Sequence, residues 1–191
     1  ELFWVDPELR GIIPLTGLHV SKSLRKQVLN KPFEIRYNTD FTGIITGCAG
    51  QAKDRQETWI NNEIITLYSQ LFEQGFVQTV ECWQGGVLVG GLYGISLKGA
   101  FFGESMFSHK SNASKVALIH LIARLNEDGF ILLDTQFTTD HLISLGAIEI
   151  PRNDYLDQLD KALLVNAKFK TNSSDISHQF YIERLLFKEL G

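Results

Sequence analysis

Two polar residues, Asp134 and Gln136, stand two positions apart at the end of the apolar stretch 130–133. If that stretch is a β-strand, its period of two residues places both side chains on one face. Ligand crevices in open α/β sheets lie at the carboxyl ends of strands, so the pair is a candidate reaction centre. The same pattern suits a loop in which the Asp134 carboxylate accepts hydrogen bonds from nearby backbone N–H groups. The residues alone leave both interpretations open.

A third candidate, Glu104, lies within the apolar run 101–107. A carboxylate buried in such a run needs a hydrogen-bond or ion-pair partner, because the burial of an unpaired charge is costly. Glu104 is therefore expected either in a structural ion pair or in a functional centre.

Positive charge is concentrated in the segment 19–36, which carries a net charge of +4 in a chain whose net charge is −4. Its basic residues are Lys22, Arg25, Lys26, Lys31 and Arg36, set against Glu34. The segment is either a solvated helix face or a patch that binds nucleic-acid phosphates. The expected helix start at 112–115, which includes Lys115, is a second candidate anion site through its free N–H groups. Trp59, at another expected helix start, could stack on a base or anchor the core.

The overall composition excludes several classes of protein. With 191 residues, 44% hydrophobic and 21% charged, the chain is typical of one globular domain. Its longest uncharged run, 82–97, is shorter than the roughly 20 residues that a membrane span needs. Cys48 and Cys82 are far apart and the five histidines are scattered singly. We therefore expect two buried, reduced thiols and no metal site.

The spacing of apolar residues predicts the elements that would position these groups. Apolar residues repeat on one helical face between Ile60 and Leu71, and Gly75 would end that helix. Segments 76–83 and 87–97 flank a Gln-Gly-Gly turn and predict a β-hairpin. Further helices are expected over 22–30 capped by Ser21, over 41–49 capped by Asp40, from a cap at Asn112 or Ser111 to Gly129, from Asp140 to Gly146, from a cap at Asp154 or Asn153 to Leu164, and over 178–190. Further strands are expected at 33–37, 99–107, 130–134 and 147–150.

Together these elements predict an α+β protein close to the α/β class, with a mixed β-sheet flanked by helices on both faces. The mixed strand directions follow from a meander that runs into a strand–helix–strand unit. This order suits an acyltransferase fold of the GNAT type. The polar stretch 168–177 is expected to be a linker before the last helix.

Several phrases, in order over roughly residues 2–165, resemble the bacterial leucyl/phenylalanyl-tRNA–protein transferases. The two most specific phrases are Phe102-Gly-Glu-Ser-Met-Phe-Ser108 and Leu133-Asp-Thr-Gln136. The others are Leu18-His-Val-Ser-Lys-Ser-Leu24, Glu57-Thr-Trp-Ile60, Val89-Gly-Gly-Leu-Tyr-Gly94, Asn112-Ala-Ser-Lys-Val-Ala117 and Leu145-Gly-Ala-Ile-Glu-Ile-Pro-Arg152.

The resemblance implies a cytoplasmic enzyme with a GNAT-like core. Such enzymes transfer Leu or Phe, and Met less well, from aminoacyl-tRNA to the α-amino group of proteins that begin with Arg or Lys. The product carries a signal for degradation by the N-end rule pathway. The implied partners are Leu-tRNA, Phe-tRNA and the acceptor proteins, with no membrane, no metal and no bound cofactor.

By matching positions, the resemblance assigns Asp134, Gln136 and Glu104 to the reactive centre. Asp134 would accept the amine proton or hold the cationic end of the acceptor, and Glu104 would anchor the substrate amino group or order the centre. The aminoacyl pocket and the adenosine site would consist of Trp59, Leu92, Phe101, Met106, Leu118 and Leu121. The tRNA would be bound by Lys22, Arg25, Lys26 and Lys115.

The expected transferase domain covers 1–165, and the poorly matching 166–191 is expected to form a linker and an amphipathic helix. Relatives of this kind also carry an upstream segment with an aromatic Gly-Ile-Phe-Pro-type stretch that helps to form the substrate cleft. That segment is expected to be absent before residue 1.

Two other functions stay open on the residues alone. One is a GNAT acetyltransferase that uses acetyl-CoA, although the segment 109–114 lacks the glycines of a pyrophosphate-binding loop. The other is a non-catalytic aminoacyl-tRNA-binding module. The joint presence of Asp134, Gln136 and Glu104 argues against it.

Overall fold

The computed structural model describes residues 6–50, 60–172 and 175–187. Their helices are α1 (Lys22–Leu29), α2 (Phe41–Gly50), α3 (Asn62–Glu73), α4 (Ala113–Glu127), α5 (Asp140–Ile143), α6 (Arg152–Leu164) and α7 (Asp175–Leu186). Their strands are β1 (Leu9–Ile12), β2 (Glu34–Tyr37), β3 (Val77–Gln84), β4 (Val87–Leu97), β5 (Ala100–Ser108), β6 (Leu132–Gln136) and β7 (Ile148–Pro151). None of the helices in these ranges has the length and apolar character that a membrane span requires.

The strands of this described part form one sheet in the order β2-β3-β4-β5-β6-β1-β7. β5 and β6 are parallel and are connected through α4, whereas the other neighbouring pairs are antiparallel. Successive β4 residues belong to different cores, because Leu92 packs with α4 and α7 whereas Tyr93 packs with α2 and α3. Helices therefore cover both faces. The predicted mixed sheet with its strand–helix–strand unit is confirmed.

The sheet opens between β5 and β6. These strands are paired only as far as Phe102 and Asp134, yet β5 continues to Ser108 and β6 ends at Gln136. We call the region between the unpaired ends of β5 and β6 the strand gap. Here the two faces of the molecule are not separated by a continuous hydrogen-bonded sheet.

A β-bulge lies beside the strand gap. Gly103 of β5 is opposite Gly94 of β4, and Ser105 is opposite Tyr93, which leaves Glu104 as the extra residue. Bulges increase local twist and redirect side chains, and they are frequent next to functional sites. The regular alternation of β5 is therefore interrupted at the one carboxylate that the strand carries.

The sequence-based prediction missed β1, which is inserted between β6 and β7. It pairs antiparallel with both, through contacts such as Ile12 with Asp134 and Arg10 with Ile150. The four residues of β1, Leu-Arg-Gly-Ile, have no alternation long enough to indicate a strand. Their extended conformation depends on partners that lie far away in the sequence.

Asn112 stands at the expected cap position of α4 but lacks the capping hydrogen bond, and the expected cap of α6 is wrong. Asn112 has a left-handed backbone, with φ of 61°, and makes no capping hydrogen bond to α4, while Ser108 Oγ accepts the Ser114 N–H at 2.8 Å. α6 begins directly after Pro151, so neither Asn153 nor Asp154 is its cap. Proline at this position needs no N–H partner and already has the φ of a helix.

Two other caps are confirmed. Ser21 Oγ accepts the Leu24 N–H at 3.3 Å, and Asp40 Oδ1 accepts the Gly43 N–H at 2.8 Å. The local sequence signals therefore predict the starts of α1 and α2 correctly.

The C-terminal part of the described chain packs against the rest of the molecule. Ile182, Leu185 and Leu186 of α7 are buried in the same core as α4. The ring of Phe169, from the predicted linker, lies 6.0 Å from the rings of Tyr37 and Phe101. The first part of the predicted linker 168–177 is thus held by the core contacts of Phe169.

A polar cluster joins α7 to α4. His178 Nε2 lies 3.0 Å from His120 Nδ1 and 2.9 Å from the Tyr37 hydroxyl. His178 Nδ1 lies 3.3 Å from Glu127 Oε2, and Arg124 Nη1 donates to that same oxygen at 3.0 Å. We call these five side chains the histidine cluster.

Candidate reaction centre at the strand gap

Asp134 is buried on the α6 face of β6, with none of its surface exposed. Its carboxylate accepts hydrogen bonds from Arg10 Nη2 at 2.7 Å and Nε at 3.1 Å, and from the Tyr155 hydroxyl at 2.6 Å. The Gln136 N–H donates to Asp134 Oδ1 at 2.7 Å. A carboxylate has about four lone-pair sites. The Asp134 carboxylate is therefore fully occupied by groups of its own chain.

The contact with Asp134 raises the pKa values of Arg10 and Tyr155. Burial acts to lower the pKa of Arg10, but its hydrogen bond to Asp134 and the charge of Asp134 outweigh that effect and raise it. Burial raises the pKa of Tyr155, and the hydrogen bond to Asp134 raises it further. At neutral pH the guanidinium stays charged and the phenol stays protonated, so both remain donors.

Gln136 ends β6 in a left-handed conformation, with φ of 57°. Its hydrogen bond to Asp134 stabilises this turn, because a side-chain oxygen two residues earlier replaces a backbone partner. Across the sheet Gln136 pairs with Gly11 of β1. A Cβ at Gly11 would stand 2.7 Å from the carbonyl carbon of Phe137, so the close approach of β1 requires glycine there. The half-buried Gln136 side chain stands where β6 ends.

Glu104 belongs to the same electrostatic neighbourhood. Burial raises the pKa of Glu104, the hydrogen bond from the Tyr68 hydroxyl of α3 lowers it, the charge of Asp134 raises it, and that of Arg10 lowers it. The net pKa of Glu104 is raised. Unlike Asp134, Glu104 is only partly buried. The three carboxylate and amide residues predicted from the sequence are thus brought to one place, Asp134 as a buried group and Glu104 as a more accessible one.

The predicted pocket residues of the described chain share one apolar core, on the α4 face of the sheet. Leu92, Phe101, Leu118 and Leu121 are almost fully buried, and Met106 is half-buried against them. Trp59 lies outside the described residues. The other face carries Tyr68 and Tyr155, so the apolar cluster and the polar centre approach each other at the strand gap.

The predicted tRNA-binding residues are arranged around α1 and the start of α4. Lys22 and Lys26 are exposed on α1, and Lys115 is half-buried on α4. Gln27 of α1 connects the two helices, because its Oε1 accepts from Asn112 Nδ2 at 2.7 Å. Arg25 is less accessible, with its guanidinium 5.4 Å above the ring of Phe187.

Two of the N–H groups at the start of α4 are already hydrogen-bonded within the chain. The Ala113 N–H donates to the Lys110 carbonyl at 3.1 Å, and the Ser114 N–H donates to Ser108 Oγ at 2.8 Å. Both residues are buried. These two N–H groups are therefore not available to an anion at this helix start.

Both cysteines are free and buried. Burial raises the pKa of Cys48 to about 12 and that of Cys82 to about 12. Neither thiol is a reactive thiolate at neutral pH. Within the described ranges, no group of three or more His, Cys, Asp or Glu residues could hold a metal ion.

Three residues of the centre are not indicated by the sequence: Arg10, Tyr68 and Tyr155. No local signal distinguishes Arg10, since its role follows from the pairing of β1 with β6. Tyr68 belongs to the apolar helix face of α3, and its hydroxyl is not visible in that pattern. Tyr155 is the buried aromatic residue in the otherwise polar first turns of α6, which is the one usable hint.

Comparison with known proteins finds one family. A family model described as leucyl/phenylalanyl-tRNA protein transferase matches residues 12–160. The chain is 54% identical over 177 residues to a leucyl/phenylalanyl-tRNA–protein transferase of Maricaulis maris, covering 93% of this chain and 82% of the relative. It is 53% identical over 176 residues to the protein of that name from Rhodospirillum rubrum, covering 92% of this chain and 83% of the relative. A relative of that name from Paramagnetospirillum magneticum is 54% identical over 174 residues, covering 91% of this chain and 83% of the relative.

Proposed function

The chain belongs to the leucyl/phenylalanyl-tRNA–protein transferase family, and we propose that it acts as an aminoacyltransferase. In this reaction Leu or Phe passes from the 3′ end of aminoacyl-tRNA to the α-amino group of an acceptor protein. The observation that carries the proposal is the meeting of Asp134, Gln136 and Glu104 at the strand gap. The high identity to proteins named as such transferases supports it.

The chemistry requires more positioning than activation. An aminoacyl ester is already reactive, and an α-amino group with a pKa of about 7.7–8.0 is roughly one-tenth neutral at pH 7. Holding the ester and the amine in line can contribute about 7–11 kcal/mol in favourable cases. A rigid centre suits this task better than a strong base.

The proposed step forms one bond and breaks one bond. The neutral amine nitrogen attacks the ester carbonyl carbon, and the C–O bond to the ribose oxygen breaks as the amide forms. The amine nitrogen gives up one proton, and the leaving ribose oxygen gains one. Glu104 is the better acceptor for that proton, because it is partly exposed and its raised pKa keeps its basicity closer to that of the amine.

Asp134 has a different role in this proposal. Its carboxylate already accepts from Arg10, Tyr155 and the Gln136 N–H, so it has no free lone pair directed at a substrate. It fixes the end of β6 and thereby the Gln136 side chain. Gln136 then orients the reacting groups through its amide.

The aminoacyl side chain is proposed to lie against the apolar cluster on the α4 face. Leu92, Phe101, Leu118 and Leu121 form a rigid wall, since they are almost fully buried. The half-buried Met106 is the adaptable part, and a flexible thioether suits a site that accepts both Leu and Phe. Such a pocket separates apolar side chains by only about 1–3 kcal/mol per methylene, so the preference is graded.

Phosphates of the tRNA are proposed to contact Lys22 and Lys26 on α1, with Lys115 nearby on α4. These side chains share one surface because Gln27 ties α1 to the start of α4. Arg25 contributes mainly through its packing on Phe187. Trp59, which lies outside the described residues, is proposed to stack on the terminal adenine.

The core is proposed to be of the GNAT type. The parallel pair β5 and β6, joined by α4 and separating at the strand gap, supports this assignment. Use of acetyl-CoA is the competing function. It is disfavoured because the N–H groups of Ala113 and Ser114 are occupied by Lys110 and Ser108, and because the segment 109–114 lacks glycine.

The acceptors are proposed to be proteins that begin with Arg or Lys, so that the added Leu or Phe creates a degradation signal of the N-end rule. This pathway operates in the cytoplasm, which is the proposed location of the enzyme. No metal or bound cofactor is required by the proposed step, because the ester supplies the activated acyl group.

The test is incubation of the protein with radiolabelled Leu-tRNA and peptides that begin with Arg, Lys or Ala. We expect label in the Arg and Lys peptides and little in the Ala peptide. Binding of Leu-tRNA without transfer to any peptide would instead indicate a non-catalytic binding module. Acetylation of the same peptides from acetyl-CoA would favour the competing acetyltransferase.

A further inference from the structure

Two side chains that no motif indicated hold the reaction centre together. Arg10 comes from β1 and Tyr155 from the first turns of α6, and both donate to Asp134 Oδ2, at 2.7 and 2.6 Å. The guanidinium of Arg10 also lies 4.9 Å above the Tyr155 ring. The three side chains therefore contact one another and connect three separate segments of the chain. We call this group the Asp134 clamp.

Both donors meet at one carboxylate oxygen, Oδ2, whereas the other oxygen, Oδ1, is shared by Arg10 Nε and the Gln136 N–H. Oδ2 accepts from Arg10 Nη2 and the Tyr155 hydroxyl, while Oδ1 accepts the Gln136 N–H at 2.7 Å. Arg10 Nε at 3.1 Å from Oδ1 fixes the rotation of the carboxylate plane. With this plane fixed, Oδ1 is aimed at the Gln136 backbone.

Gln136 needs such support because its backbone conformation is uncommon. A left-handed φ of 57° is unfavourable for a residue with a Cβ and persists only when its surroundings impose it. The hydrogen bond from the Gln136 N–H to Asp134 is the contact that imposes it from within β6. Gln136 pairs with Gly11 across the sheet and is the last residue of β6, so the strand provides no restraint beyond this pair.

From this arrangement we propose that Arg10 and Tyr155 are positioning residues, which act through Asp134 to hold Gln136 in the geometry of aminoacyl transfer. They do not touch the substrates. The inference rests on the transfer activity proposed above and adds two residues to it. A positioning role predicts a loss in kcat with little change in KM, because bound substrates are less well aligned while their binding surfaces are intact.

The first test compares Tyr155→Phe with Arg152→Gln. Tyr155→Phe keeps the aromatic ring and removes only the hydroxyl that donates to Asp134. Arg152→Gln breaks the Arg152–Asp6 ion pair of 2.8 Å, which also ties the chain before β1 to the start of α6 but does not involve Asp134. The assay measures kcat and KM for an Arg-initiated peptide with Leu-tRNA, and thermal melting gives the folded fraction.

We expect Tyr155→Phe to lower kcat about 10- to 100-fold, as for the loss of one hydrogen bond to a charged group, with KM within about twofold. Arg152→Gln should leave both unchanged. Equal kcat for Tyr155→Phe and wild type, at equal folded fraction, would overturn the positioning role. Equal losses in both variants would overturn it too, since they would reflect general stability.

The second test uses Arg10→Lys and Arg10→Gln and reads the backbone amide of Gln136 by ¹H–¹⁵N NMR. Lys keeps the charge but not the forked pair of donors, so kcat should fall between wild type and Arg10→Gln. The Gln136 amide proton should move upfield in Tyr155→Phe and in both Arg10 variants, and stay in place in Arg152→Gln. An unmoved amide in Tyr155→Phe would refute the clamp. A wild-type protein that transfers neither Leu nor Phe would refute the proposed function itself, and the amide shift would still decide whether the clamp holds Gln136.

Discussion

The Asp134 carboxylate obtains its strongest partners from distant parts of the chain. Arg10 lies 124 positions before it and Tyr155 lies 21 positions after it. Only the hydrogen bond from the Gln136 N–H is local. The replacement of Asp134 by the neutral Asn is therefore not a conservative change, although Asn has nearly the same shape as Asp.

Asp134→Asn should destabilise the protein. It leaves the guanidinium of Arg10, whose side chain is 20% exposed, without its counter-ion. Removing one partner of a buried pair costs about 3–5 kcal/mol, and the partial exposure of Arg10 favours the lower end of that range. Urea unfolding monitored by fluorescence measures the loss. The matched control is Glu149→Gln, which alters an exposed hydrogen bond to Thr138 and should change the unfolding free energy by less than about 0.5 kcal/mol.

Tyr68→Phe should change the pH dependence of transfer. Burial raises the pKa of Glu104, and the hydrogen bond from Tyr68 counteracts part of that rise. Without this hydrogen bond the pKa of Glu104 rises further. The acid limb of kcat at saturating peptide should then move to higher pH, because Glu104 must be ionised to accept a proton.

The control for this pH shift is Tyr181→Phe on α7, which packs against the core around α4 and is not among the groups that act on the pKa of Glu104. Its pH profile should coincide with that of the wild type. An acid limb that stays in place in Tyr68→Phe would show that Glu104 is not the proton acceptor in the rate-limiting step.

At the residue scale, the sequence indicates Asp134, Gln136 and Glu104 as candidates but does not indicate the hydrogen-bond partners that give each of them a different role. The end of an apolar strand, an apolar run and a family resemblance together indicate Asp134, Gln136 and Glu104. The full occupancy of Asp134 could not be predicted, because two of its donors come from elements whose positions depend on the tertiary fold. The same is true of the hydrogen bond from Tyr68 to Glu104.

At the scale of elements, α1 combines a sequence-predicted cap with an exposed basic face. Ser21 starts the helix, Leu24 and Val28 bury one side, and Lys22 and Lys26 face solvent. The helix is held against α4 through Gln27. A charged surface in this position is available to a large polyanion without rearrangement of the core.

Lys22→Glu and Lys26→Glu together should weaken tRNA binding and flatten its dependence on salt. For each phosphate that the variant no longer neutralises, the slope of log K against log salt should fall by about 0.7–0.9. Filter binding of Leu-tRNA between low and physiological salt measures this slope. Transfer from a minimal aminoacyl-adenosine donor should be unaffected.

The control for the charge reversal is Lys161→Glu, an exposed lysine on α6 at the opposite face of the sheet. It should leave the salt slope of tRNA binding unchanged. If the α1 variant and the α6 variant reduced binding equally, the effect would be one of net charge and not of a tRNA-binding patch.

Elements with strong local signals are predicted well from the sequence, and elements defined by distant pairing are not. The hairpin around Gly85 and Gly86 follows from turn chemistry, and both glycines have positive φ. β1 has four residues and no pattern of its own, so only its pairing with β6 and β7 reveals it. The missed capping hydrogen bond of α4 has the same origin, because Ser108 belongs to β5.

At the scale of the whole molecule, the histidine cluster fastens α7 to the rest of the fold. His120 is faced by His178 from α7, and the charges of Arg124 on α4 and of Lys31 after α1 act on it. Tyr37 from β2 and Glu127 from α4 contact His178. Burial, followed by the charges of His178, Arg124 and Lys31, lowers the pKa of His120 to about 3 from its usual 6.5. The imidazole is therefore neutral in the folded protein.

Acidification should destabilise the folded protein through His120. Below pH 6.5 the unfolded chain binds a proton at His120 that the folded chain does not bind until about pH 3. The contribution of the neutral His120 to the free energy of unfolding is fully present above pH 6.5. It falls as the pH drops, by up to about 1.4 kcal/mol per pH unit. Urea unfolding at pH 7.5 and pH 5 should show a smaller loss in His120→Gln than in wild type. The exposed His109→Gln serves as control, and a wild-type loss equal to that of His120→Gln would contradict the assignment.

The position of β1 in the sheet also determines when the molecule can become complete during its synthesis. β1 leaves the ribosome before its neighbours β6 and β7, which follow more than a hundred residues later, as the 124 positions between Arg10 and Asp134 show. At about 5–20 residues per second, β1 waits on the order of ten seconds for a partner. Contacts this distant in sequence also form slowly. The reaction centre is therefore among the last features to assemble in a newborn chain, and a nascent fragment that stops before Tyr155 has no means of closing it.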